Sequence, residues 1–410
     1  MNEQNLKKNM LWNAAGNLIY LMCQWIVTVL VTNIGAFRDA GLLSVAMSVS
    51  ATFQTVAMFG IRNYQVSDVE NKYSDTCYAF FRIITCAVAL VACIAFSLIC
   101  GYGGEQMLAI TLFMLFRLAE NFSDVLHGIA QKRGRLDIAG KAFAIKGIGL
   151  VVVFLATYRW SGQLCAGLFA MAAFSIGSTI LYDLIAVRHL SDFGLVSCER
   201  DWLALAKETA PLCLYLFFSA AISTVPKLIL ERQCGEEILG AYSSIFAPAL
   251  LIQAAMGYIY NPFAQMLGEK KVKSDRVGFL KLSGLLMAAI TLIALLMVIV
   301  ANFLGEGLLA LIFGDAIRPY AYLLIPILIA VSVTAWFAFL CMLAIVLRSF
   351  AWLLISCGFG FVFCVAFTKP FITHFSVNGT SYSLIAATVL ASLILIVGIA
   401  FSLLPKNNKK

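Results

Sequence analysis

Charge and histidine are what this chain has least of. Asp, Glu, Lys and Arg make up 12% of its 410 residues, and only three are histidine. Soluble domains carry roughly twice that share of charge, so a water-exposed globular fold is excluded. His127, His189 and His374 are far apart in the chain, and no C-x-x-C or Cys/His cluster accompanies them. Neither a metal centre nor a bound cofactor is therefore expected. The twelve cysteines sit almost entirely in apolar runs, with Cys86, Cys93 and Cys100 seven apart, and read as packing or lipid-facing residues. No solvated segment interleaves basic and aromatic side chains, which argues against a nucleic-acid partner despite a net charge of +8. No connection between apolar runs is long enough for a soluble domain, so an enzyme with an extramembrane catalytic loop is not expected. A TVGYG-type filter is absent as well, which argues against a selective channel. Residues 1–34 lack a small-residue cleavage site behind a short apolar core, so they read as an uncleaved first span.

What the chain does have is apolar length: 62% hydrophobic residues and a mean hydropathy of +0.92. Span length and flanking charge predict twelve crossings, at 10–34, 40–63, 76–100, 106–129, 138–158, 163–187, 208–231, 238–263, 279–304, 319–347, 349–368 and 381–404. All are predicted helices, because an open sheet cannot satisfy its backbone in lipid. With the N-terminus inside, 19 of the 29 Lys and Arg fall at inner segments, including Lys132, Arg133, Lys270 and Lys271. Five fall at outer ones: Arg38, Arg159, Arg232, Arg318 and Lys369. Both termini are thus expected in the cytoplasm. The longest inner connection lies mid-chain, and its amphipathic stretch CERDWLALAKE is expected to lie along the interface. On this reading residues 1–190 form an N-terminal six-helix lobe, 191–207 a cytoplasmic linker and 208–410 a C-terminal six-helix lobe. A weak repeat supports the division. Residues 40–65 align with 239–265 at an offset of about 199, Gly41 meeting Gly240 and Ser44 meeting Ser243. Six spans per half makes the halves parallel repeats. The segment GLLALIFGD (307–315) reads as a short amphipathic piece on the outer side.

The chemistry is concentrated between Arg117 and Lys141. On a helix Arg117, Glu120, Asn121, Asp124, His127, Gly128 and Gln131 share one face. A charge near the bilayer centre costs at least about 2.5–3.5 kcal/mol, so this face must meet other helices or a hydrated cavity. Pairing of Arg117 with Glu120 or Asn121 is the structural alternative to lining a cavity. Span one carries Asn13, Asn17, Tyr20, Gln24 and Thr28 on one side. Span seven has Tyr215, Ser219, Ser223 and Lys227 at four-residue steps, with Pro211 and Pro226 able to bend it. Five cations lie within spans. Arg62 and Arg82 are near inner ends, where snorkelling suffices to explain them. Arg117 and Lys146 are about 15 and 12 Å deep at 1.5 Å per residue. Lys227 has Glu231 four residues on as a possible partner. Surplus positive charge suits an anionic ligand, and guanidinium forks suit phosphate oxygens. Glu120 and Asp124, one turn apart, are candidates for Na⁺ or H⁺ coupling, with pairing to Arg117 or Lys146 the alternative.

Three stretches look familiar: the opening KKNMLWNAAGNLIY, FGIRNYQVSD at 59–68, and Arg117–Lys141 with Glu120, Ser123, Asp124, Gly128, Gln131, Arg135, Gly140 and Lys141 in step. In these and in its two-lobed length the chain resembles the polysaccharide and oligosaccharide-lipid flippases (Wzx type). Their superfamily also holds the multidrug and toxic-compound extruders and the lipid II flippases. The resemblance implies an all-helical, MATE-like protein of two pseudo-symmetric six-helix lobes around a central cavity, in a bacterial cytoplasmic membrane. It implies no covalent chemistry. The substrate would be an undecaprenyl-diphosphate-linked oligosaccharide, an O-antigen, capsule or teichoic-type repeat unit, moved from inner to outer leaflet by alternating access. Glycosyltransferases and a polymerase of the same pathway would be its partners. The diphosphate role is carried to Arg62, Arg117 and Lys146, with Arg82 and Lys227 behind them, and Asn17 and Gln24 lining the cavity. A cation-coupled multidrug or metabolite antiporter is the alternative. Span one of the drug extruders typically holds a buried acid, however, and residues 10–34 contain no Asp or Glu. The two extra spans of the lipid II flippases are also missing.

Overall fold

A chain this apolar must close its backbone hydrogen bonds within each segment, and its described spans do so as helices. The computed structural model describes residues 3–68, 72–191, 194, 201–260 and 263–403, and these contain no strand. The helices divide into two compact units, Met1–Ala220 and Ala221–Lys410.

The first unit contains α1 (Glu3–Met58), α2 (Ile61–Ser67), α3 (Asp75–Ile99), α4 (Gly104–Lys132), α5 (Leu136–Ser161) and α6 (Leu164–Ser178). A π-helical turn (Thr179–Leu184) carries α6 into α7 (Ile185–Arg188). The unit ends inside α8 (Asp201–Cys234), whose helix runs on through Pro211 and Pro226. Much of the expected linker stretch, residues 192, 193 and 195–200, lies outside the described residues; residues 201–207 are the first turns of α8. The second unit continues with α9 (Glu236–Tyr260), α10 (Ala264–Val272), α11 (Arg276–Phe313), a 3₁₀ segment (Asp315–Leu323), α12 (Leu324–Val346), α13 (Phe350–Phe375) and α14 (Asn378–Leu403). Residues 307–313, expected as a separate amphipathic piece, are the end of α11.

Ten described stretches are long and apolar enough to cross a membrane. Two more, α4 and α9, have 29 and 25 residues, about 43 and 37 Å of helix, which suffices for a crossing. Twelve helical stretches of crossing length thus stand where twelve were predicted. The outward faces match a lipid environment: only 17% of the most apolar window of α11 is buried, and Phe303, Leu311 and Val277 stand open. In water such a surface would aggregate.

Local chemistry sets the breaks. The first two spans share helical backbone from Glu3 to Met58, but their halves take different partners. Leu11–Gly35 runs alongside α5, with Gly16 on Gly140 and Gly147 on Tyr20. Phe37–Met58 runs alongside α4, with Ser50 on Ile110 and Gln54 on Asn121. Since α4 and α5 are antiparallel, the chain reverses near Gly35, where a Cβ would collide with the Tyr158 hydroxyl. Span two was expected to reach residue 63. It stops at Met58 because Phe59 and Gly60 take positive φ (48° and 69°) before α2 restarts the helix. The Ser74 hydroxyl accepts the Cys77 amide to start α3, and the Asp275 carboxylate accepts the Gly278 amide to start α11.

The repeat is sharper in the structure than in the sequence. The elements α5 and α13 begin 214 positions apart and end 214 apart, and α6 and α14 begin at the same offset. The turn residues with positive φ, Gly134 and Arg348, Gly162 and Ser376, keep that spacing too. In the earlier part the offset of 199 pairs Gln54 with Gln253. Both amides reach the central helix of their unit: Gln54 donates to Asn121 on α4 (3.2 Å), Gln253 to Thr334 on α12 (3.1 Å). Each of these helices packs against most of the other elements of its own unit, α4 meeting α1, α2, α3, α5, α6, the π-helical turn and α7. Whatever α4 carries is therefore held from most sides.

Candidate functional site

The polar face of α4 is sorted into three places within the first unit. Toward α2 and α3, Asp124 lies between two guanidinium groups. Arg62 Nη1 is 3.0 Å from Asp124 Oδ1 and donates also to the Asp124 carbonyl (2.5 Å), while Nη2 donates to Gln131 Oε1 (2.7 Å). From the other side, Arg82 Nη2 is 3.2 Å from Asp124 Oδ2, and its Nη1 donates to the Ala57 carbonyl (2.7 Å). The Arg82 side chain is wholly buried, whereas Arg62 keeps 23% of its surface. Snorkelling thus fails as an account of Arg82, whose charge is met inside the protein.

Deeper in the unit, α1, α4, α5 and α6 enclose a second cluster around Lys146, whose side chain is 2% exposed. Its ammonium donates to Ser123 and to Thr179 Oγ1 (3.0 Å). It forms ion pairs with Asp183 Oδ2, 2.7 Å away, and with Glu120 Oε1 at 3.9 Å. Asp183, fully buried, also meets His127 Nε2 at 3.2 Å. A carboxylate only accepts, so Nε2 carries the hydrogen, and Nδ1 is left buried without a partner. Glu120 accepts from the Tyr20 hydroxyl and from Ser175 Oγ (3.1 Å). Thr179 and Asp183 both stand on the π-helical turn that interrupts the sixth span. The extra residue of such a turn shifts the side chains that follow it around the axis, and here it brings Asp183 onto Lys146.

The third place belongs to Arg117. It pairs with neither Glu120 nor Asn121: Glu120 is taken by Tyr20, Ser175 and Lys146, and Asn121 by Gln54. Its guanidinium lies over the rings of Phe113 and Phe116, at 5.1 and 5.3 Å from their centroids. Its Nε is buried with no hydrogen-bond partner, and so is Nε2 of Gln24. Both residues line a small cavity with Thr28, Met47 and Leu150. Its volume of about 20 Å³ is room for one water and far too little for a phosphate.

Across the spans of this unit and α2, Arg62, Arg82, Arg117 and Lys146 face Glu120, Asp124 and Asp183. The first two cations share Asp124, Lys146 has two carboxylates, and Arg117 among the described residues has no carboxylate. Of the remaining candidates, Asn17 is half-buried on α1. Lys227 belongs to the second unit, where its ammonium lies 3.8 Å from the centroid of the Phe246 ring and not on Glu231. Sequence reasoning passed over Asp183, His127, Tyr20, Ser175 and Thr179 as a group. The one signal was the shared face of α4; Asp183 stands four residues from the expected end of its span, where linear depth gives it no prominence.

Twelve crossing-length helical stretches in two repeats of six, with ionisable side chains sealed inside the first, define a fold already seen in membrane transporters. The chain is similar over 96% of its length to an inward-facing multidrug resistance MATE family transporter of the MOP superfamily (97% of that chain covered, TM-score 0.71, 14% identity). It is similar over 95% of its length to the lipid II flippase MurJ in an inward closed conformation (87% of that chain, TM-score 0.69, 11% identity). Within that fold class the chain belongs to the polysaccharide biosynthesis protein family, whose model matches residues 6–265. It is 25% identical over 312 residues to the capsular polysaccharide biosynthesis protein CapF of Staphylococcus aureus, covering 75% of this chain and 77% of that protein. The family expected from the Arg117–Lys141 stretch is the family found.

Proposed function

We propose that this protein is a flippase that carries an undecaprenyl-diphosphate-linked oligosaccharide from the inner to the outer leaflet of a bacterial cytoplasmic membrane. Membership of the polysaccharide biosynthesis family and likeness to CapF support a role in building a surface polysaccharide. The observation that carries the finer reading is Arg117: a cation at mid-span, without a carboxylate among the described residues, whose Nε and the Nε2 of neighbouring Gln24 lack hydrogen-bond partners. An anion is the ligand such a pair lacks, and a guanidinium offers two parallel donors to phosphate oxygens.

In this reading the diphosphate role within the first unit contracts from four cations to one. Arg62 and Arg82 are engaged with Asp124, and Lys146 is enclosed by two carboxylates and two hydroxyls, so a ligand would have to displace those partners. The 20 Å³ cavity beside Arg117 must widen before a diphosphate can enter. A conformational cycle supplies that opening in an alternating-access mechanism. Moving an anion outward is assisted by the membrane potential, about 2.3 kcal/mol per charge per 100 mV. No bond is made or broken in this reading, and Na⁺ or H⁺ coupling is a separate element of it. Asp124 suits that coupling poorly, since two guanidinium groups already hold its oxygens; Glu120 is the better candidate.

The test is reconstitution. Wild type, Arg117→Lys and Arg117→Ala are placed in liposomes with a fluorescent undecaprenyl-diphosphate sugar, and its arrival in the opposite leaflet is followed. Transport falling about tenfold in the lysine variant and vanishing in a folded alanine variant is the expected result. Wild type that leaves this lipid in place but moves organic cations down a Na⁺ or H⁺ gradient would replace the proposal with an antiporter.

A further inference from the structure

Outside the first unit's ionic clusters, a polar groove of about 590 Å³ lies in the second unit. It lies where four membrane helices end: α11 begins at Arg276, α12 ends at Val346, α13 begins at Phe350 and α14 ends at Leu403. Four cations line it, Lys270, Lys271, Arg276 and Arg348, together with one carboxylate, Asp275. The carboxylate is already committed, accepting the Gly278 amide (2.8 Å) and pairing with Lys270 (3.1 Å). Lys271 donates to the Val346 carbonyl (3.1 Å). The guanidinium groups of Arg276 and Arg348 have no hydrogen-bond or ion-pair partner among the described residues.

The backbone at Arg348 adds an independent observation. Its φ is +57°, a left-handed conformation that glycine adopts without cost and other residues rarely take. The equivalent turn of the first unit uses glycine, Gly134 at φ +72°. An arginine therefore stands where the fold prefers glycine, and it places a free guanidinium at the rim of a groove. The next residue, Ser349, begins α13 without capping it by its side chain, so the first amides of α13, at Phe350 and Ala351, add positive potential to the same wall. Phe279, Leu347, Phe350 and Leu403 supply an apolar lining. Beside it Val277 (78% exposed) and Leu280 (57%) face outward, as they would to lipid.

We infer that this groove binds the phosphate of an anionic phospholipid headgroup, with Arg276 and Arg348 as the direct ligands and the apolar wall against the glycerol end. Basic pockets between the ends of membrane helices are suited to such headgroups. A soluble phosphate offers the same oxygens but no use for the apolar wall. The site is distinct from Arg117 and does not depend on what the protein transports.

The full-length protein in detergent is examined by native mass spectrometry with phosphatidylglycerol or phosphatidylcholine added. The wild type is compared with Arg276→Gln/Arg348→Gly. Each lost charge-assisted contact corresponds to roughly a tenfold change in affinity. Phosphatidylglycerol adducts should therefore fall ten- to hundredfold in the variant, with phosphatidylcholine adducts unchanged. Millimolar inorganic phosphate should not displace the lipid. Because glycine suits the turn, Arg348→Gly alone should melt at or above the wild-type temperature when lipid-free, and lose the rise that phosphatidylglycerol gives the wild type. Equal phosphatidylglycerol binding by wild type and double variant would overturn the assignment. So would displacement by inorganic phosphate, which would give the groove to a soluble anion.

Discussion

Asp124→Asn isolates the energetics of the first cluster, because it changes one charge and almost no volume. In the native arrangement Asp124 Oδ2 is 3.2 Å from Arg82 and Oδ1 is 3.0 Å from Arg62. At an effective dielectric constant near 20, one pair at 3.2 Å is worth about 5 kcal/mol of gross attraction. For Arg82, fully buried, most of that loss is felt, since the variant leaves an uncompensated charge whose Nε already lacks a partner. Breaking a buried pair in this way costs about 3–5 kcal/mol. The Arg62 contribution is smaller, about 1 kcal/mol at most, because both partners keep about a quarter of their surface in contact with solvent. In a unit of about this size 1 kcal/mol moves the melting temperature by about 2–4 °C, so a fall of order 10 °C is expected. Thermal unfolding of purified protein, followed by loss of the monodisperse peak, measures it. The volume-matched Arg82→Met/Asp124→Leu should recover most of the loss, because removing both charges also removes the desolvation they impose. An Asp124→Asn protein that melts within 2 °C of wild type would refute the argument and return Asp124 to the list of exchangeable ion sites.

Gly140→Ala should destabilise by about 1–3 kcal/mol, the usual cost of overfilling a packed contact, since the added Cβ would strike the backbone at Trp12 and Asn13; the melting temperature reads this, and Gly177→Ala, which meets nothing, is the control. Asp68, just beyond α2, should make stability fall in acid. Burial alone would raise its pKa, but the Lys72 and Tyr73 amides and the Tyr78 hydroxyl outweigh burial and hold it below the usual carboxylate value. A depressed folded pKa contributes stability above the unfolded value, near 4, and that stability is lost as pH falls through the folded one. Melting curves between pH 6 and 3 should be steeper for wild type than for Asp68→Asn; parallel curves would remove Asp68 as the cause.

How much of this could be read from the sequence follows from the range of the forces involved. Span positions depend on local hydropathy, and all twelve were legible. The break at Phe59–Gly60, by contrast, depends on backbone angles that hydropathy does not encode. The face of α4 from Arg117 to Gln131 was visible at a helical period, but which charge meets which was not. Partner choice turned on the π-helical turn at Thr179–Leu184, a local rearrangement with no compositional signature, and it moved Asp183 from the margin to the centre. The repeat then separates fold from chemistry. At the offset that aligns α5 with α13 and their flanking turns, Arg117, Glu120, Lys146 and Asp183 fall on Val331, Thr334, Gly360 and Val397. The helix ends and turns are preserved between the two units while every charge in that set is replaced by a neutral residue. A requirement of the fold would have left its mark on both copies. Charges kept in one copy alone, and held there at the cost of burial, point to the work of that unit. Within it Arg117 is the charge for which the protein supplies no counterpart, and that is why the diphosphate proposal is placed on it.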